Sequence, residues 1–228
     1  MSPIIGYIHI CQIGEWERSF QMIFDTLKKS KLYDAVKEIR LGILCPGGEY
    51  REDNKSAILK DPKFRVVYVG TPEEYERPTL LHMKQSAETD PLTTKYFYLH
   101  TKGIRWFGTM FEPAIVDWIK LMLYWNIEKW INAEDIVGKY DTYGCNYYSG
   151  EKYPPHYSGN FFWTTSHHLK TLPDAIGPEY NDPEFWLCSN GRFGGKPNIY
   201  NAFSSKFEDT MGHYNHLYPE NLYRDDLL

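Results

Sequence analysis

Apolar residues along this chain keep two rhythms. One is the short β-branched or aromatic run that ends at turn formers; the other is the longer stretch whose apolar positions recur every three to four residues. Residues 4–11 (IIGYIHIC) are the first run, and after it Trp16, Phe20, Ile23, Phe24 and Leu27 share one helical face. Residues 38–45 predict a second strand stopped at Pro46-Gly47-Gly48, and residues 64–69 a third stopped at Gly70. Pro78 suits the first turn of a helix reaching about Glu88. Residues 96–99 predict a fourth strand. A long helix is expected from Pro113, with Ile115, Trp118, Ile119, Met122, Leu123, Ile127 and Trp130 on its apolar stripe. Residues 143–147 and 159–164 read as further strand-like runs, and the Gly-, Asn-, Tyr- and Pro-rich chain from Asn190 onward reads as loop with short elements.

Strands alternating with helices at this spacing imply βαβ units joined by right-handed crossovers. The expected fold class is α/β: a Rossmann-like single domain over residues 1–228, with a central, mostly parallel sheet flanked by helices. No repeat, low-complexity tract or linker divides the chain.

At 228 residues the chain is long enough for a substantial core. Its net charge of −5, with no block of Lys or Arg, argues against nucleic acid as a partner, because backbone phosphates are held by clustered cations. The 19 Tyr and 7 Trp exceed what a small core needs, and such amphipathic rings can line carbohydrate or base sites. No run of about 18 apolar residues predicts a membrane span, and the first residues lack a signal-peptide pattern, so a cytoplasmic protein is expected. Cys11, Cys45, Cys145 and Cys188 form no CxxC pair and read as free thiols.

The candidate chemistry begins where the fourth strand ends. In an open α/β sheet, ligands are met at the carboxyl ends of the strands. His100, Thr101, Lys102 and Gly103 follow at once on the run Tyr96 to Leu99. The acidic pair Glu88 and Asp90 stands instead between a helix and Pro91, and reads as solvated charge.

The order of elements, with ERPTLLHMK before the fourth strand, YFYLHTKGI at its end, then YGCNY and HYSGNFFWTT, resembles a family of glycosyltransferases of the GT-A fold that includes members encoded by large DNA viruses. The resemblance runs over roughly residues 3–190, and LHTKG with HYSGNFFW is its most specific part. It implies a transferase that moves a sugar from a nucleotide diphosphate sugar, with UDP as the nucleotide, to a hydroxyl of a glycan or glycoprotein acceptor, in the host cytoplasm if the chain is viral. It also implies a nucleotide-binding half to about residue 110 and an acceptor-side half beyond. A catalytically silent nucleotide- or glycan-binding module of the same fold is the alternative.

In that family the fourth strand usually ends in Asp-x-Asp, whose carboxylates hold a divalent metal on the diphosphate. Here His100-Thr101-Lys102 stands at the equivalent place, which leaves manganese or magnesium dependence open. A protonated Lys cannot ligate a hard cation, but it pairs with phosphate oxygens. Lys102 is therefore expected to stabilise charge on the leaving diphosphate, with His100 as a hydrogen-bond donor. His9, Cys11 and Gln12 at the first strand's end are expected near base or ribose, and Arg77 near a phosphate. In HYSGNFFW, the resemblance puts Ser158, Gly159 and Asn160 beneath the donor sugar, with His156 as a further hydroxyl partner; His167 and His168 read as surface residues. Glu184, in NDPEFWLCS, is the candidate base for an inverting transfer. It suits the first turn of a helix equally well. The resemblance also makes the late His213 a candidate metal ligand.

Overall fold

The structure is a computed structural model and describes residues 2–50, 57–207 and 210–226. Strand β1 (Ile4–Cys11) leads into helix α1 (Trp16–Lys29), a short α2 (Leu32–Ala35) and strand β2 (Glu38–Leu44). Strand β3 (Phe64–Gly70), helix α3 (Arg77–Thr89) and strand β4 (Lys95–His100) complete the first part. Helices α4 (Glu112–Leu123) and α5 (Trp130–Ile136) follow. Then come strands β5 (Thr142–Gly144), β6 (Tyr147–Tyr148), β7 (His156–Tyr157) and β8 (Phe162–Thr165), and helices α6 (Ser166–Thr171) and α7 (Asp182–Trp186). Strand β9 (Ile199–Asn201) and helix α8 (Met211–Asn215) lie in the last part of the chain.

Seven strands form one sheet in the order β3-β2-β1-β4-β8-β5-β9, with β6 and β7 paired apart from it. The first four are mutually parallel, and β8 runs antiparallel to both its neighbours. The sheet is thus mostly parallel, and it crosses from one half of the chain to the other without a break. It makes a single α/β domain.

Period-2 alternation sends the two faces of the sheet into two cores. Ile4, Ile8, Ile10, Phe97 and Leu99 pack with α1 and α4. Ile5, Tyr7, Tyr96 and Tyr98 pack on the other side with Leu80 and Met83 of α3. The apolar stripe begun at Pro113 is not one straight helix. A π turn at Tyr124–Glu128 interrupts it, closed by the Lys129 N–H to the Tyr124 carbonyl at 2.9 Å. The bulge turns the Asn126 carbonyl out to accept the Trp163 indole N–H at 2.7 Å, tying the helix to β8.

The loop expected after Asn190 supplies β9, the sheet's edge strand. His168, expected at the surface, is buried, and its Nε2 donates to the Leu187 carbonyl at 3.0 Å. Cys45, Cys145 and Cys188 are buried, Cys11 is half-buried, and all four are free thiols. Among the described residues no helix is long and apolar enough to cross a membrane.

Candidate functional site

From β1 the chain builds outward through β2 to β3, then returns to lay β4 on the other side of β1. The crevice at the carboxyl ends of β1 and β4 is therefore the switch point of the sheet, the place where such folds receive ligands. A cleft of about 430 Å³ opens there, within the size range of small-molecule sites. Residues from the ends of β1, β2 and β4 line it, with the turn before α3, the start of α7 and the start of α8.

Register and alternation bring two histidines together. His9 stands opposite His100 in the β1–β4 ladder, and both side chains fall on the α3 face, the face of Tyr7 and Tyr98. Thr101 fastens the two strand ends. Its N–H donates to the His9 carbonyl at 3.0 Å, and its Oγ1 accepts from the Cys11 N–H at 3.1 Å. His9 Nδ1 lies 2.8 Å from Thr79 Oγ1 on α3. Burial lowers the His9 pKa to about 4, against the opposing influence of Glu76 and with the help of His100.

His100 is buried, and its Nε2 donates to the Gly159 carbonyl at 2.9 Å. Burial first, then the nearby Lys102 charge, lower its pKa to about 3. Its Nδ1 lies 3.5 Å from Glu76 Oε1. Glu76 occupies the N-cap position of α3 but does not cap the helix. Its other oxygen, Oε2, accepts instead from Tyr98 Oη at 2.7 Å and from Asn160 Nδ2 at 2.6 Å.

Lys102 lines the cleft, with Nζ 4.4 Å from the centre of the Trp118 ring. No carboxylate among the described residues lies within 4 Å of that ammonium. Burial works to lower its pKa, but the surrounding Tyr214, Glu184, Glu76 and Tyr180 outweigh burial and hold it above the ordinary lysine value. The chain leaves the strand through Gly103, at φ 71°, where a Cβ would meet Ile115 Cγ2 at 2.2 Å. Only glycine allows the turn that keeps Lys102 over Trp118.

The HYSGNFFW segment serves the site through its backbone. The Gly159 N–H donates to Glu184 Oε1 at 2.6 Å while its carbonyl holds His100, so one residue ties α7 to β4. Gly159 has φ 94°, and a Cβ there would meet Met122 Sδ at 2.4 Å and Trp118 Cζ2 at 3.0 Å. Its missing side chain makes room for the core beneath Lys102. Asn160 and His156 line the cleft, whereas Ser158 faces Thr210 and a second, polar cavity of about 80 Å³. Phe161, Phe162 and Trp163 are all buried in the two cores.

Glu184 is both things the residue types allowed: it lies in the first turn of α7 and it lines the cleft. Asp182 turns away and accepts from the Glu179 N–H at 2.7 Å. Cys11 lines the cleft, its thiol pushed up to about 11 by burial, but Gln12 does not line it. Arg77 is occupied elsewhere. Its guanidinium donates to the carbonyls of Gly177 (2.6 Å), Glu74 (3.2 Å) and Glu179 (2.5 Å), and so holds the segment before α7 against α3. His213 is buried and stacks on Trp118 at 5.0 Å, with Nε2 accepting from Asn146 Nδ2 at 3.2 Å. Glu88 pairs with Lys84 at 3.5 Å, and Asp90 accepts from Tyr96 Oη at 2.6 Å, both away from the cleft.

Sequence reasoning missed Glu76, the exposed Arg105 and the rim aromatics Tyr75, Trp106, Tyr153 and Tyr180. The signal for Glu76 was its place just before Arg77-Pro78, at the start of the helix that covers the strand ends.

The side chains at the end of β4 do not fit a divalent cation. Lys102 places a positive charge there, the Nε2 hydrogen of His100 is given to a carbonyl, and among the described residues no three His, Cys, Asp or Glu side chains converge as a metal site.

No protein-family model matches the chain, and no curated protein matches it. Among solved structures it is similar to 4-diphosphocytidyl-2C-methyl-D-erythritol synthase from Anaerococcus prevotii DSM 20548, at 10% identity and a TM-score of 0.47, over 93% of this chain and 95% of that one. A likeness at that level carries no argument about this chain's chemistry.

Proposed function

We propose that the protein is a transferase that binds a nucleoside diphosphate sugar, UDP-linked, across the β1–β4 switch point and passes the sugar to a hydroxyl of a glycan acceptor. The observation that carries this reading is the placement of Lys102 at the switch point. Among the described residues it is a cation without a direct ion pair, in a cleft of ligand size, and it stands where an α/β sheet receives its ligands. A diphosphate leaving group develops negative charge as the glycosidic bond to its β-phosphate breaks. An ammonium held in place beforehand stabilises that charge without reorganising.

The reading assigns the rest of the cleft as follows. The apolar end formed by Leu44, Pro72 and Ile104 suits a base, and the polar end around Asn160, His156 and Glu184 suits the sugar. Glu184 uses Oε1 on the Gly159 N–H, and among the described residues Oε2 makes no hydrogen bond. That oxygen takes the proton of the acceptor hydroxyl as its oxygen bonds to the anomeric carbon. No metal enters this scheme.

The test is donor hydrolysis and transfer by the purified chain, with UDP- and GDP-sugars and a panel of glycans, with and without manganese. Turnover lost in Lys102→Ala and Glu184→Gln supports the reading. Tight nucleotide-sugar binding with no turnover on any acceptor points to the silent module, the reading favoured by His-Thr-Lys in place of Asp-x-Asp.

A further inference from the structure

Glu76 and His100 face each other with one proton too few. His100 Nε2 has its acceptor, the Gly159 carbonyl, so the neutral ring carries its hydrogen there and presents a lone pair at Nδ1. The group that this lone pair meets, at 3.5 Å, is a carboxylate oxygen, Glu76 Oε1. Two acceptors thus oppose each other in a buried place, and a single added proton would join them. The opposite oxygen of Glu76 already accepts two hydrogen bonds, from Tyr98 and Asn160, so the carboxylate is not free to turn away. The backbone is shaped to hold it there. Tyr75, immediately before, has φ 52° and ψ −147°, a region nearly reserved for glycine, and such strain persists only where surrounding contacts enforce it.

We propose that the Glu76–His100 pair takes up one proton when an anionic diphosphate binds in the cleft, so that ligand and proton enter together and Glu76 is the positioning residue that couples them. This rests on the nucleotide-sugar reading above. Burial first, and then the charges that face His100, keep the proton away without ligand, and it is the change in those charges that admits it with ligand. Lys102, two residues on, and His9, its neighbour on β1, disfavour a second cation; Glu184 on α7 and Glu76 favour one, and Tyr98 stacks against the ring as a neutral phenol. A diphosphate beside Lys102 neutralises the main opposing charge. It also brings negative charge toward Glu76, and the shared proton relieves both.

UDP-glucose is the probe, because each of its phosphates is a diester-like group that keeps one charge through pH 5–8, so any proton exchanged belongs to the protein. Calorimetry in buffers of different ionisation enthalpy at pH 6 should show uptake of up to one proton per ligand. The dissociation constant should rise by up to tenfold per pH unit over part of the range from 5 to 8. In Glu76→Gln and in His100→Gln the uptake and the pH slope should both vanish, and circular dichroism identifies any variant that has lost its fold. As a check that needs no variant, the His100 ring nitrogens, followed by NMR with ¹⁵N-labelled histidine, should remain in the neutral Nε2–H form without ligand at pH 6. Adding UDP-glucose should then shift the Nδ1 signal toward a hydrogen-bonded nitrogen. Binding with no proton uptake and no change at Nδ1 overturns the proposal while leaving the nucleotide-sugar reading intact. Failure of UDP-glucose and GDP-mannose alike to bind overturns the reading and the proposal together.

Discussion

Replacing Lys102 by methionine separates the two roles a strand-end lysine can have. Methionine keeps the length and apolar stem of the side chain and removes only the charge. Among the described residues the ammonium's close partner is the Trp118 ring, at 4.4 Å. A partly desolvated cation–π contact is worth about 1 kcal/mol, so urea unfolding should show a loss of about that size or less. The ligand should lose far more. A charged hydrogen bond to phosphate contributes roughly 1.5–3 kcal/mol, which is a 10- to 150-fold weaker affinity for UDP-glucose. Glu76 and Glu184 would then face the diphosphate without the cation that balances them, which works in the same direction. Lys102→Arg should restore part of the affinity, because its planar fork spreads the charge over a different geometry. The neighbouring acidic groups raise the Lys102 pKa, so its contribution should hold through pH 9 and be lost only above the ordinary lysine range. Isothermal calorimetry and urea melts on the same preparations measure both effects. Unchanged affinity together with a lowered unfolding midpoint would show that Lys102 only caps its strand.

Other perturbations test the frame around it. Gly159→Ala combines a φ of 94° with a Cβ at 2.4 Å from Met122 Sδ, and should destabilise the fold by about 2–3 kcal/mol in urea titrations; a loss under 0.5 kcal/mol would mean the core beneath Lys102 yields easily. Arg77→Ala leaves the Gly177 and Glu179 carbonyls without their donor, and hydrogen exchange at residues 177–182 should speed up markedly while β1 and β4 stay protected. Burial lowers the pKa of His9 and of His213 to about 4, below the 6.5 of the unfolded chain, so the unfolded state binds more protons between those values. Stability should therefore be full above pH 6.5 and fall toward pH 4, by about 1.4 kcal/mol per pH unit for each histidine, and a flat profile of urea midpoints from pH 7 to 5 would refute it.

Much of the frame was legible in the chain itself because it depends on local periodicity. The runs ending at Cys11, near Cys45, at Gly70 and at His100 became the four parallel strands within a residue or two, since an apolar β-branched run bounded by turn formers has few other ways to bury itself. The strand-end rule then marked His9, Cys11, Gln12, His100 and Lys102, and all of these but Gln12 line the cleft. The alternation of Tyr96, Tyr98 and His100 also carried the face on which the imidazole would lie.

Tertiary structure decided what those groups meet. Glu76 lies 24 residues before His100 and reaches it only because α3 crosses over the strand ends and the chain turns through an unfavourable φ at Tyr75. Gly159, expected beneath the donor sugar, leaves space for Met122 and Trp118, because which way a glycine's absent side chain points depends on a helix that passes under it. Arg77 stands at a helix start where phosphate contact was expected, yet the carbonyls of a segment 100 residues later occupy its fork. The π turn at Tyr124–Glu128 breaks a stripe that reads as continuous, because Trp163 on β8 takes a carbonyl that a regular helix would keep to itself. Periodicity is set by neighbours along the chain. Charge balance, hydrogen-bond partners and the direction of a glycine are set by residues far along it, and only packing brings those together.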